Sequence, residues 1–210
     1  MSVFTRFSGF GLFAMFAFVM GCDRGTSTQS SQRVELEHFD GMIDNSDSTY
    51  DTFKSDLYVR ASEFLEDGDV DAAMVFYRKI IEAYPDDPEG YAALGASLCF
   101  EHKYEEAASQ YLRALELDAL LVSAHYGLGC VAYEQSQYDE AIEHLTRAIA
   151  VTETDGDCHR VLGMVFHSAG DIPKAIFHYE RALALNASDD SARETLRRLK
   201  QESTKRVETP

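Results

Sequence analysis

The stretches AASQYL at residues 107–112 and AIFHYE at 175–180 decide the fold, because they are two copies of one pattern. AIEHLT at 141–146 is a third copy, and AAMVFY at 72–77 holds the fourth in nearly the same column. The aligned alanines recur every 34 residues, at Ala73, Ala107, Ala141 and Ala175. A fixed period of this length is typical of a repeat protein. We therefore predict four repeats within residues 54–189, spanning 54–87, 88–121, 122–155 and 156–189.

Two further columns keep the same period. Leucine and glycine recur together at Leu94-Gly95, Leu128-Gly129 and Leu162-Gly163, and a bulky residue recurs at Tyr77, Tyr111, Leu145 and Tyr179. This pattern resembles the tetratricopeptide repeat (TPR), whose units carry W-x₂-L-G-x₂-Y…A-x₃-F…P every 34 residues. The chain departs from that pattern in two ways, since it has no tryptophan and only one closing proline, Pro85.

The resemblance implies an all-α fold, a right-handed α-solenoid of four helix-turn-helix units. Positions 4, 7, 8 and 11 of each unit place an apolar stripe on the first helix. Asp69 and Asp171 are placed to cap second helices, and Pro173 falls in a first turn, where proline is tolerated. We expect residues 190–203 to close the solenoid as a capping helix with a polar outer face, followed by a disordered tail at 204–210.

The N-terminus predicts export and a lipid anchor. Arg6 precedes an apolar run at 7–20, which is too short to span a bilayer as a helix. The end of this run, VMGC at residues 19–22, resembles the lipobox of bacterial lipoproteins. The resemblance implies removal of residues 1–21 as a signal peptide and lipidation of Cys22, which would hold the domain at the cell membrane or envelope on the exported side. The alternatives are an ordinary secretory signal with an incidental cysteine and an uncleaved anchor helix.

Residues 22–53 are predicted to form the lipidated cysteine and a flexible tether, since Ser, Thr, Gln, Asp and Gly dominate this region. The segment VELEHFDGMI at 34–43 interrupts the tether with five apolar residues. Two interpretations stay open for it: a nascent helix in a linker, or a segment that docks on the domain or on a partner.

Composition and motifs exclude several function classes. The formal charge of −17, from 36 acidic and 19 basic residues, disfavours nucleic-acid binding. The sequence has no glycine-rich phosphate loop, no G-x-S-x-G elbow and no H-E-x-x-H, so we expect neither an enzyme nor a cofactor.

The histidines and cysteines follow the repeat. His125 and His159 share one column, and His144 and His178 share another, so their spacing predicts no metal site. If Cys22 is lipidated, Cys99, Cys130 and Cys158 remain, and because three is an odd number at least one of them stays unpaired within the chain. Cys99 and Cys130 are expected to be small buried thiols rather than a disulfide.

The TPR resemblance also implies a binding surface, because first helices of this family line a concave groove with positions 2, 5, 9 and 12. Grooves that hold acidic peptide C-termini use Lys, Asn and Arg at positions 5 and 9, and Arg160 alone matches here, so that ligand class is disfavoured. We expect a partner segment with apolar anchors to bind instead. The other interpretation is that these side chains fill the inner curve of a short solenoid. The predicted groove residues are Tyr58, Ser62, Leu65, Ala92, Ala96, Cys99, Tyr126, Cys130, Tyr133, Arg160, Met164 and His167.

A second candidate surface is LLV at 120–122, in a loop that is usually polar in this repeat. It either tucks beneath the third repeat, which is the commoner outcome, or marks a site for a partner or for self-association. The sequence as a whole therefore predicts a membrane-anchored scaffold or adaptor that binds a protein partner in a membrane-associated complex. The alternative is an accessory subunit of an envelope transporter that holds a small apolar ligand.

Overall fold

The computed structural model describes residues 47–152 and 155–208, with the backbone alone at 47–51 and 205–208. The predicted signal peptide, Cys22, the segment 34–43 and most of the tether lie outside the described residues. Within the described ranges the chain forms nine α-helices and no strand, which confirms the all-α class. They are α1 (Asp47–Glu66), α2 (Val70–Ala83), α3 (Pro88–Phe100), α4 (Tyr104–Leu117), α5 (Val122–Glu134), α6 (Tyr138–Val151), α7 (Gly156–Ser168), α8 (Ile172–Leu185) and α9 (Asp190–Glu208).

The described part of the chain divides into two compact units, with the boundary between Pro85 and Asp86. In the described part of the first unit, α1 packs against α2 across a short turn. Ala61 and Ala73 are fully buried, as the small-residue columns predict for two helices that approach closely. Phe64 of α1 stacks on Phe76 of α2 with ring centroids 5.5 Å apart, so an aromatic contact also joins the two helices.

The second unit contains three helix pairs and a closing helix. The helices pair as α3 with α4, α5 with α6 and α7 with α8, and each second helix also contacts the next first helix. The first helices α3, α5 and α7 contact one another more extensively than the second helices do. They therefore line the inner side of this unit. Helix α9 packs on α8, where the first helix of a further repeat would lie, so it closes the TPR-like solenoid as predicted.

Two of the second helices begin with the predicted aspartate caps. Asp69 Oδ1 accepts a hydrogen bond from the Ala72 amide at 3.0 Å, and Asp171 Oδ1 accepts one from the Lys174 amide at 3.2 Å. Lys103 and Gln137 precede α4 and α6 without a side-chain cap. Acidic residues stand in the first turns of α4 and α6, where the positive end of the helix dipole favours them.

Tyr111 explains the close approach of neighbouring repeats. Its ring is fully buried between Gly95 of its own repeat and Gly127 of the next. A Cβ atom added to Gly95 would lie 3.0 Å from Tyr111 Cε1, and one added to Gly127 would overlap the ring itself. Gly95 belongs to a column that recurs at Gly129 and Gly163, whereas Gly127 lies outside every column that the repeats share.

Both ends of the repeat region differ from the predicted boundaries. Helix α1 begins at Asp47, so the tether prediction is wrong for residues 47–53. Helix α9 continues to Glu208, so the predicted disordered tail is helical over 204–208. The physical reason is the same in both places, because a helix that is already nucleated gains one hydrogen bond for each residue added. Neither stretch contains the glycine or proline that would end it.

In the part of the chain that the structure describes, no helix combines the length and the apolar character needed to cross a bilayer.

Candidate binding surface

The predicted groove residues divide between the two units. Tyr58, Ser62 and Leu65 lie on α1 in the first unit, and all three are half-buried. The Tyr58 and Tyr77 ring centroids are 6.3 Å apart, and the Ser62 hydroxyl donates to the Val59 carbonyl at 2.7 Å. Tyr58 and Ser62 therefore already have contacts within their own helix pair. The other nine predicted residues lie on α3, α5 and α7 in the second unit.

Five of those nine residues are buried, so they are not accessible to a partner in this conformation. Their exposed fractions are 0% for Ala92, 2% for Ala96, 3% for Cys99, 4% for Tyr126 and 1% for Cys130. The physical reason is that α3 and α5 contact both second helices and neighbouring first helices. Small side chains at these positions let the helices approach closely, and they become part of the core. Their burial favours the alternative interpretation, that such residues fill the inner curve, at these five positions.

Arg160 on α7 is held by two carboxylates. Its Nη2 lies 3.2 Å from Asp157 Oδ1 and its Nε lies 3.5 Å from Asp189 Oδ2, and only 12% of the side chain is exposed. Burial alone would lower the pKa of Arg160, but Tyr126, Asp157 and Asp189 outweigh it and raise the pKa, so the guanidinium stays charged. Because both carboxylates belong to the chain itself, Arg160 fixes α7 to the start of α9. It is not available to clamp the carboxylate of a partner.

The remaining three residues form an accessible surface, which we call the inner patch: Tyr133, Met164 and His167. All three are half-buried. Met164 and His167 are one turn apart on α7, and the Tyr133 hydroxyl at the end of α5 lies 3.3 Å from Ser168 Oγ. The inner patch thus joins two neighbouring first helices with an aromatic ring, a thioether and an imidazole.

The three described cysteines are buried free thiols. Burial raises the pKa of Cys99 to about 12, and it also raises the pKa values of Cys130 and Cys158. The Cys158 thiol donates to Asp155 Oδ2 at 3.2 Å. Since the thiolate is the reactive form of cysteine, these side chains are inert packing groups at neutral pH.

The segment 120–122 is split between core and solvent. Leu121 is 8% exposed and is buried at the start of α5, which is the commoner of the two predicted outcomes. Leu120 is 67% exposed beside it. A single exposed leucine is ordinary for a protein surface, and it does not make a patch.

One depression in the surface lies at the turn between α5 and α6. It is open to solvent and is lined by Ser136, Gln137, Tyr138, Asp139, Glu140, Ser168 and Ala169. A site for a small apolar ligand would be enclosed and mostly apolar. This depression therefore does not support the small-ligand alternative.

Comparison with protein-family models matches two parts of the chain. A tetratricopeptide repeat model matches residues 124–188, and a second tetratricopeptide repeat model matches residues 57–87. The chain contains tetratricopeptide repeats. The TPR matches cover the third and fourth predicted units and most of the first. No curated protein matches the chain.

Solved TPR structures share the fold. The crystal structure of MamA is similar at 26% identity and a TM-score of 0.60, covering 69% of this chain and 84% of that one. The PilF protein of Pseudomonas aeruginosa is similar at 24% identity and a TM-score of 0.69, covering 75% and 72%. A thermophilic TPR protein of Thermus thermophilus is similar at 19% identity and a TM-score of 0.62, covering 72% and 87%. These likenesses support the TPR fold and leave the partner open.

Proposed function

We propose that this chain is a lipid-anchored TPR scaffold of the bacterial cell envelope, which binds a protein partner on the inner patch. TPR proteins are generally protein-interaction scaffolds, and this is the part of the function that the family matches support. Anchoring through Cys22 is supported by VMGC at residues 19–22 and by the polar residues that follow it.

The observation that carries the proposal is the composition of the inner patch. Tyr133 and His167 are half-buried ring side chains, and Met164, one turn before His167 on α7, has a flexible, polarisable side chain that adapts to different surfaces. Aromatic residues and methionine are enriched where proteins bind one another. Since Arg160 is paired within the chain, the patch offers shape and apolar contact rather than a clamp for a carboxylate. The expected partner is a segment with apolar anchors.

The test is a crosslinked affinity purification from native membranes with three variants of the full chain. In Tyr133→Ala/Met164→Ala/His167→Ala the patch is truncated without adding a buried charge. The matched control is Leu112→Ala/Phe177→Ala, because those side chains are 52% and 55% exposed on second helices. Cys22→Ser removes the proposed site of lipidation. Circular dichroism confirms that each variant is folded before comparison.

We expect one partner to co-purify with the wild type and with the control, and to be lost with the patch variant. We expect Cys22→Ser to leave the membrane fraction while it still binds that partner. A partner that persists with the patch variant would contradict the inner patch as the binding site. A Cys22→Ser protein that stays in the membrane fraction would contradict the anchor independently of the partner.

A further inference from the structure

Two pairs of histidines join the helices of the last two repeats. His125 on α5 meets His144 on α6 with their Nδ1 atoms 3.1 Å apart, and His159 on α7 meets His178 on α8 with the same separation. The ring centroids are 5.4 Å and 5.3 Å apart. The first member of each pair is buried, at 3% exposure for His125 and 7% for His159. The same contact is therefore built twice, at the same positions of two repeats.

The first repeat provides an internal comparison. Its residues at the two corresponding positions are Leu57 and Phe76, which are 1% and 3% exposed. An apolar pair thus fills this place in one repeat, and an ionisable pair fills it in two others. Packing alone does not require histidine here, because a leucine and a phenylalanine are buried at the corresponding positions of the same chain.

The protons of the first pair can be assigned from its hydrogen bonds. His125 Nε2–H donates to the Ala119 carbonyl at 3.2 Å, so in the neutral ring His125 Nδ1 is an acceptor. His144 Nδ1–H must then donate to it. A first added proton is accommodated, because His144 can move its own proton to Nε2 and accept from His125. A second added proton would place two N–H donors and two positive charges against each other at 3.1 Å.

The charged groups around the pairs do not remove this conflict. On α6, Glu140 and Glu143 favour protonation of the first pair, and Arg147 opposes it. At the second pair, Asp155 before α7 favours protonation, whereas Lys174 and Arg181 of α8 oppose it. His178 also contacts the Phe166 and Phe177 rings, each with its centroid 5.2 Å away. Within the described residues, no group of three histidine, cysteine or carboxylate side chains is arranged to hold a metal ion.

We propose that the two histidine pairs are an acid-sensitive device that loosens the third and fourth repeats when the surroundings become mildly acidic. Four of the chain's seven histidines are committed to these two contacts. Protonation of both rings of a pair breaks its Nδ1–Nδ1 contact, which loosens the packing of α5 on α6 and of α7 on α8. The first repeat has Leu57 and Phe76 at these positions, which do not titrate over the same range.

The sign of the effect follows from the direction of the pKa shifts. Burial, the largest cause, lowers the pKa of all four rings from 6.5, and it lowers that of His178 to about 4. A ring whose folded-state pKa is lowered binds its proton more readily in the unfolded chain. The stability that depends on the neutral pairs is therefore complete above about pH 6.5 and is lost as pH falls towards about 4. Partial exposure of His178 reduces its contribution, so we expect it alone to lower the folding equilibrium constant about tenfold between pH 7 and pH 5.

The test compares the wild type with a variant that carries the pair of the first repeat in both places: His125→Leu/His144→Phe/His159→Leu/His178→Phe. Urea unfolding at pH 7 and pH 5 gives the midpoint of each protein, and hydrogen exchange at both pH values locates the loss of protection. His102→Gln is the control, because His102 is exposed and stands outside both pairs. We expect the midpoint of the wild type and of the control to fall with pH more steeply than that of the fourfold variant, and exchange to rise first in α5–α8.

Equal pH dependence of the wild type and the fourfold variant would overturn the proposal. If the fourfold variant does not fold, NMR titration of the wild-type histidines replaces it. Paired rings that stay neutral below the ordinary pKa of histidine and then gain protons together with the loss of protection in α5–α8 would support the proposal. Paired rings that titrate at the ordinary pKa of histidine while protection is retained would overturn it.

Discussion

At the scale of single residues, Tyr111 determines which side chain the next repeat can carry. A Cβ atom on Gly127 would lie 2.6 Å from Tyr111 Cε2, and closer still to other atoms of the ring. One repeat later the corresponding positions hold Leu145 and Val161, both fully buried. Leu145 is smaller than Tyr111, and its neighbour Val161 is correspondingly larger than Gly127. The two positions share one volume that the pair of side chains must fill, which is the expectation for a close-packed core.

We predict that Gly127→Ala lowers the free energy of unfolding by about 1–3 kcal/mol, because overpacking outweighs the roughly 1 kcal/mol that alanine gains in a helix. Tyr111→Leu alone should cost about 2–4 kcal/mol through the cavity that it leaves. The double variant should be more stable than the sum of the two costs predicts, since each change relieves the other. Urea unfolding of the three variants measures the coupling.

The control for this prediction is Gly95→Ala, whose new Cβ would meet the Tyr111 ring at 3.0–3.1 Å. A shift of a few tenths of an ångström relieves this contact, so we expect a smaller loss than at Gly127. Equal losses at both glycines, or costs in the double variant that simply add, would show that Tyr111 and Gly127 do not share one volume.

The same residues show what the sequence could and could not predict. Ala73, Gly95 and Ala107 were predictable, because each makes a contact within its own repeat and the columns display it repeatedly. Gly127 was not predictable, because its partner lies in the preceding repeat and the contact occurs once. The burial of Tyr126 and Cys130 was missed for a related reason. The family pattern predicts which face of a helix points inward, but the exposure of that face depends on how closely neighbouring helices pack.

At the scale of helices, the caps account for much of where the second helices begin. Residues 69, 137 and 171 have almost the same backbone angles, with φ between −90° and −85° and ψ between 68° and 77°. Only the two aspartates accept a hydrogen bond from the first turn of their helix. Gln137 makes no side-chain cap to the first turn of α6, although its backbone already has the conformation of the two capping aspartates.

We predict opposite effects for two substitutions at these positions. Asp171→Ala should lower the free energy of unfolding by about 1 kcal/mol, because it removes the cap. Gln137→Asp should raise the free energy of unfolding by up to about 1 kcal/mol, because it adds a cap. Repulsion from Asp139 and Glu140 in the same first turn reduces this gain. Thermal unfolding followed by circular dichroism measures both, with Gln137→Ala as a near-neutral control. A stabilising Gln137→Ala would show that the gain at residue 137 comes from helix propensity rather than from a cap.

At the scale of the whole molecule, repetition makes stability depend on neighbours. Each helix pair in the second unit buries its apolar face against the next pair, so the last pair requires a closing element. Helix α9 has that role. Ala192 and Leu199 are 1% and 0% exposed, while the opposite side of the helix carries charged residues. Lys200 Nζ also pairs with Glu180 Oε1 of α8 at 2.7 Å.

We predict that ending the chain after Asp189 destabilises the second unit, while ending it after Ser203 does not. The first truncation keeps the ion pair between Arg160 and Asp189 but exposes the apolar side of α8. It removes Leu196 and Leu199 from the core. Burial of each leucine stabilises the fold by about 1.5–3 kcal/mol, and part of this loss is offset because fewer residues lose conformational entropy on folding. The truncation after Ser203 retains both leucines, so its free energy of unfolding should change by less than about 0.5 kcal/mol. Thermal unfolding of the three proteins measures the difference.

Hydrogen exchange separates a local effect from a general one in the shorter truncation. Because a solenoid transmits stability from neighbour to neighbour, protection should be lost first in α7 and α8 and last in α3 and α4. Uniform loss across the second unit would mean that it unfolds as a single cooperative block, with the helix pairs indistinguishable in stability. Unchanged protection in α8 would mean that α9 is an appendage of the solenoid rather than its closing element. The expected gradient requires that the repeats read from the sequence are also the units in which this protein unfolds.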